Sequence, residues 1–96
     1  MKQLEFEWDT KKSKTNKKKH GVSFDEAQTV FHDPKARINS DPDHSDDEDR
    51  FILLGLSERL RVLVVCHCYR RGDSVIRIIS ARKATRHETM LYEENL

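Results

Sequence analysis

At 96 residues the chain has room for one domain, expected over 1–96, with a modest hydrophobic core. Charged residues make up 36% and hydrophobic ones 35%, so that core must be thin, and the formal net charge of +1 conceals strong segregation along the chain. The N-terminus MKQLEFEWDTKK lacks the apolar stretch of a secretory signal, and the longest apolar run, around Val62 to Cys66, is too short to span a bilayer, so a cytoplasmic protein with no membrane partner is expected.

In LEFEW, Leu4, Phe6 and Trp8 alternate with Glu5 and Glu7, the period of a half-buried strand. Asp9 is placed to cap a helix over Lys11 to His20, which Gly21 would stop, although this lysine-rich segment has no apolar stripe and its like charges repel. Ser23 with Glu26 forms a capping-box pattern, and Val22 could staple to Ala27. That second helix carries Phe24, Ala27, Val30 and Phe31 and ends before Asp33-Pro34. A short strand over Ala36 to Ser40 leads into the hydrophilic loop DPDHSDDED. RFILLGLS, RVLVVCHCY and SVIRIISAR then read as three strands of an antiparallel meander, the last two joined by a hairpin at RRGD. Thr85 with Glu88 opens a terminal helix through Tyr92. The order strand, two helices, strands, helix predicts an α+β fold with an antiparallel sheet.

The charges fall into blocks. Lys11, Lys12, Lys14, Lys17, Lys18 and Lys19 are basic; Asp41, Asp43, Asp46, Asp47, Glu48 and Asp49 are acidic. Between Glu58 and Glu88 the basic residues Arg59, Arg61, Arg70, Arg71, Arg77, Arg82, Lys83 and Arg86 face a single acid, Asp73. Such asymmetry points to a half that meets a polyanion. The acidic loop is expected to stay in solvent, or to screen the basic half when no polyanion is bound.

FEWD, KHGVSFDEA, DPDHS, RFILLGLS, VVCH and IRIISARKAT with the following YEE occur in an order that resembles the BrnT family of toxins from bacterial type II toxin–antitoxin pairs, whose fold is similar to the RelE ribonuclease toxins. The resemblance covers nearly the whole chain. It implies a RelE-like α+β domain, an endoribonuclease toxin that inhibits translation and growth by cutting mRNA, and no cofactor. It also implies a BrnA-like antitoxin carrying a ribbon-helix-helix part, through which alone operator DNA would be contacted. The lysine-rich first helix, and Cys66 and Cys68 on either side of His67, are less typical of the family.

RNA can be cut without a metal when its own 2′-hydroxyl attacks the adjacent phosphorus, provided that charge on the phosphoryl oxygens is stabilised and protons are moved. Arginine suits the first task because its planar fork grips phosphate and stays charged. Arg77 is the leading catalytic candidate, since it alternates with Val75, Ile79 and Ala81 and so interrupts an aliphatic face. Arg82 ends the opposite face with Ser80 and Ile78 and is the second. His67 is the third, as the residue type suited to proton transfer near neutrality. An odd-length loop around Gly72 sets His67 opposite Arg77 and an even one opposite Ile76; the odd loop is expected, and a hydrogen-bonded sheet histidine is the alternative. Lys83 and Arg86, near a helix N-terminus, are candidate RNA anchors. Tyr92 could stack on a base or close the core.

No metal site is expected. In DPDHSDDED the glycine position of a calcium loop holds Asp46 and the twelfth position falls on Ile52. Cys66 and Cys68 share a strand face from which His67 points away, without a fourth ligand. A non-catalytic nucleic-acid- or protein-binding module of the same fold, and a degenerate toxin kept as an antitoxin partner, are the rival functions.

Overall fold

Trp8 packs edge-on against Phe24, and Phe6 against Phe31, ring centroids 6.1 Å and 5.3 Å apart, so the first strand and the second helix share one aromatic layer. The computed structural model describes residues 4–41 and 49–94. Its elements run β1 (Glu5–Glu7), α1 (Thr10–His20), α2 (Phe24–Thr29) continued by a 3-10 turn (Val30–His32), β2 (Arg37–Ser40), β3 (Arg50–Leu56), β4 (Val62–Arg70), β5 (Val75–Lys83) and α3 (Arg86–Glu93). The acidic loop read from the sequence lies largely outside the described residues, at 42–48.

The expected α+β order of strand, two helices, strands and helix is present, but the sheet is mixed rather than antiparallel. Its strand order is β1-β5-β4-β3-β2, and β1 runs parallel to β5, with Glu7 beside Arg77. The physical reason is the route between them: β2 to β5 follow one another by antiparallel pairing, whereas β1 joins the far edge.

Local signals decide most boundaries. Asp9 accepts from the Lys11 and Lys12 amides, and Gly21, at φ 71°, closes α1 in the left-handed region. Ser23 caps α2 by accepting from the Glu26 amide. Only half of that expected capping box forms, because the Glu26 side chain turns inward to Ser57, at 2.7 Å, and to the Arg61 guanidinium. That hydrogen bond from Arg61 holds the Glu26 carboxyl below its ordinary range against the opposing effect of burial. Thr85 and Glu88 form the complete box that opens α3.

One face of the sheet supports the core, in which Val22, Phe24, Ala27 and Val30 meet Leu53, Leu63, Val65, Ile78 and Ala81. Helix α1 contributes almost nothing apolar to it, and its sole buried residue is Asn16. The Asn16 amide accepts from Ala81 N–H at 3.1 Å and donates to Ala81 C=O at 2.7 Å and to Val22 C=O at 2.9 Å. Beyond the short β1 pairing, the side chain satisfies both backbone groups of Ala81 as a neighbouring strand residue would.

The opposite face carries three cross-strand rows, read from the pairing register. Arg37, Leu54, Val64 and Arg82 form the first; Asn39, Ile52, Cys66 and Ser80 the second; Arg50, Cys68, Arg77 and Glu7 the third. Helix α3 lies along the first row, tied at one end by Arg82 to Glu88 and at the other by Arg37 Nη1 to the Leu91 carbonyl at 3.2 Å.

Candidate active site

A β-bulge turns the two candidate arginines to the same face of the sheet. Cys66 pairs with Ser80 but His67 pairs with Ile78, so Ile79 is the extra residue on β5. Strict alternation would send Arg77 and Arg82 to opposite faces, as the sequence suggested. With one residue added between them, both stand on the face of Val64, Cys66 and Cys68. Arg50, which the sequence reading passed over, joins them on β3 opposite Cys68.

Beside these rows lies a cleft of about 330 Å³, lined among others by His20, Asp41, Arg50, Cys66, Ser80 and Arg82. His20 arrives there as the last residue of α1. Like Arg50, it was missed because no local pattern marks it; only the docking of α1 beside Ala81 brings it to the sheet. The Cys66 thiol is pushed up by burial and, next, by the Asp41 carboxylate, whose Oδ2 is 4.0 Å from its sulfur. It is therefore a protonated wall of the cleft rather than a nucleophile.

Both arginines hold carboxylates. Arg77 Nη1 is 2.8 Å from Glu7 Oε2, and Arg82 binds Glu88 through two bonds of 2.8 Å and 2.9 Å. The Arg82 hydrogen bond is the main reason that Glu88 is brought down to about 2. All four side chains are partly solvent-exposed, and the bidentate Arg82–Glu88 pair is the stronger of the two.

A family described as ribonuclease toxin, BrnT, of type II toxin–antitoxin system matches residues 8–88. The chain belongs to the BrnT family. Membership makes it a ribonuclease toxin with an antitoxin as its implied partner. The crystal structure of the Brucella abortus ribonuclease toxin BrnT superposes with a TM-score of 0.64 at 24% identity, covering 88% of this chain and 100% of that one. Identity at that level speaks for the fold alone. Comparison with curated protein sequences gives no match.

His67, Tyr92, Lys83 and Arg86, the other residues predicted from the sequence, do not line this cleft. Hairpin loop Arg71–Ser74 has an even length, and together with the register it sets His67 opposite Ile78, not Arg77. His67 is fully buried on the core side within a cage of Phe31, Phe51 and Tyr69, with ring centroids at 4.8, 6.1 and 5.4 Å. Its Nδ1 donates to the Val65 carbonyl at 3.2 Å, and its Nε2 has no hydrogen-bond partner among the described residues. Burial lowers its pKa and keeps the ring neutral.

Tyr92 is buried, its hydroxyl donates to Asp33 Oδ2 at 2.6 Å, and it is not among the residues that line the cleft. Burial and that bond push Tyr92 up to about 12. Lys83 pairs with Leu63 and leaves β5 on the face away from Arg82, at the exposed strand end. Arg86 is exposed in the first turn of α3, where Glu88 already offsets the positive helix end. Among the described residues no helix is long and apolar enough to cross a membrane.

Proposed function

We propose that this toxin is an endoribonuclease that cuts RNA without a metal ion on the sheet face carrying Arg50, Arg77 and Arg82. The observation that carries the reading is the Ile79 bulge, which sets Arg77 on the same face as Arg82, whose side chain lines the cleft with Arg50. The RNA 2′-hydroxyl gives up its proton and attacks the adjacent phosphorus. The bond from phosphorus to the 5′-oxygen breaks, and that oxygen takes a proton. The fragments carry a 2′,3′-cyclic phosphate and a 5′-hydroxyl.

In this reading Arg77 and Arg82 exchange their carboxylates for the phosphoryl oxygens as negative charge grows there. His20 supplies the imidazole once expected of His67, since it lines the cleft while His67 is sealed in the core. Lys83 and Arg86 act as outlying phosphate anchors, and Tyr92 has no contact with RNA.

The wider reading keeps the expectations of the sequence. The fold is RelE-like and forms one domain over 1–96; the substrate is mRNA, and its loss inhibits translation and growth in the cytoplasm. A BrnA-like antitoxin with a ribbon-helix-helix part is the partner, and operator DNA is reached only through it. The test is incubation of purified protein with RNA in excess EDTA, followed by analysis of the fragment ends. Cleavage with cyclic phosphate ends is expected. Activity that disappears with chelator and returns with magnesium overturns the metal-free mechanism.

A further inference from the structure

Part of the lysine block of α1 occupies positions that local physics disfavours, whereas Lys17, Lys18 and Lys19 lie in the last turn, which suits positive charge. Lys11 and Lys12 sit in the first turn, where the helix dipole opposes positive charge and where no acidic residue is present. Lys14 and Lys18 repel each other at the i, i+4 spacing. Packing does not account for the block either, because Asn16 is the sole buried residue of the helix. Departures from local rules without a packing gain point to a surface kept for binding.

The block also divides by direction. Lys11, Lys12 and Lys19 line a groove of about 300 Å³ between α1 and β5, whereas Lys14, Lys17 and Lys18 are not among its lining residues. That groove shares His20 and Ser80 with the cleft beside Arg82. The two depressions thus adjoin at the end of α1. Among the described residues no acid lines the α1 groove, while the cleft contains Asp41. Along the helix, Lys12 and Lys19 are about 10 Å apart at 1.5 Å per residue.

We infer that the α1–β5 groove is a track for single-stranded RNA backbone, in which Lys11, Lys12 and Lys19 hold the strand that leaves the cleft past His20. The inference rests on the proposed ribonuclease function and extends it from the cut site to the flanking nucleotides. The lysines bind phosphates as point charges, so they grip the strand without reading its sequence.

The test compares two triple variants of equal charge, Lys11→Gln with Lys12→Gln and Lys19→Gln, and Lys14→Gln with Lys17→Gln and Lys18→Gln. Binding is measured over a range of salt to a 2′-O-methyl oligouridine long enough to fill both depressions and to a 2′-O-methyl uridine trinucleotide. These probes lack the attacking hydroxyl, so the readout stands even if wild type never cuts RNA. Each phosphate contact on a single strand contributes a slope of about 0.7, so the groove set should lower the salt slope for the long probe by about 2. Its loss of affinity should be larger for the long probe than for the trinucleotide. Equal effects of the two triple variants would reduce the groove to diffuse charge and overturn the track. So would a groove set that binds RNA as wild type does but loses binding to polyglutamate, which would make the groove a seat for an acidic protein. Failure to cut unmodified RNA, with the slope difference intact, counts against the ribonuclease reading alone.

Discussion

Arg77 and Arg82 are five positions apart on one strand and yet face the same way, because Ile79 is inserted between the Cys66–Ser80 and His67–Ile78 pairs. The same insertion keeps Ile78 and Ala81 together in the core, although they too are separated by an odd step. One bulge therefore serves both packing and the proposed site.

Substituting His67 and His20 in turn gives a direct contrast. His67→Phe should retain RNA cleavage, since the ring is sealed among Phe31, Phe51 and Tyr69, whereas His20→Gln should slow cleavage. Single-turnover rates decide this; a His67→Phe enzyme that folds but cannot cut would restore the buried histidine to the mechanism.

His67 also predicts how stability responds to acid. Its folded pKa lies below the ordinary 6.5, so below pH 6.5 the unfolded chain binds the proton more readily. The stabilising effect of a neutral His67 is complete above 6.5 and declines as the pH falls from 6.5 through the lowered value. Urea midpoints between pH 7.5 and 5 should drop in wild type, and drop less in His67→Phe.

The Arg82–Glu88 pair acts further down the scale. Glu88 falls from 4.5 to about 2 in the folded chain, so the attachment of α3 is fully present above 4.5 and is lost as the pH drops toward 2. Glu88→Gln should loosen α3 already at neutral pH, seen as faster amide exchange over Arg86–Glu93, and should blunt any further loosening by acid. Unchanged exchange would show that the Tyr92–Asp33 and Arg37–Leu91 bonds hold the helix on their own.

Asn16 is a structural prediction that the lysine-rich sequence obscured. Asn16→Ala leaves Ala81 N–H and C=O without their partner, at about 1–3 kcal/mol for each buried group left unsatisfied. Asn16→Asp should be worse above the carboxylate range, because it sets an anion against the Ala81 and Val22 carbonyls. Denaturant midpoints measure both, and an Asp variant as stable as wild type would contradict the assigned amide geometry.

Most of the fold was legible because it is written in local chemistry. Asp9, Gly21, Ser23 and the Thr85–Glu88 box mark helix ends through side-chain and backbone hydrogen bonds that need no tertiary context. The site was harder. Nothing in IRIIS announces that Ile79 will bulge, and strict alternation then puts Arg82 on the wrong face. Arg50 and His20 enter only through strand pairing and through the docking of α1 by a single amide, both long-range events. His67 looked available because sequence alone does not show the aromatic cage; Tyr92, whose core reading was kept open, found Asp33 fifty-nine residues away.

The most direct test of the central claim compares rate with affinity for Arg77→Ala and Arg82→Ala. Single-turnover cleavage is measured in excess EDTA beside equilibrium binding of the same RNA, with circular dichroism to establish that each variant is folded. If these arginines stabilise the transition state, each substitution lowers the rate about a hundred- to a thousandfold, and affinity falls far less. Loss of affinity matched by no further loss of rate, or full cleavage by both variants, would contradict the account.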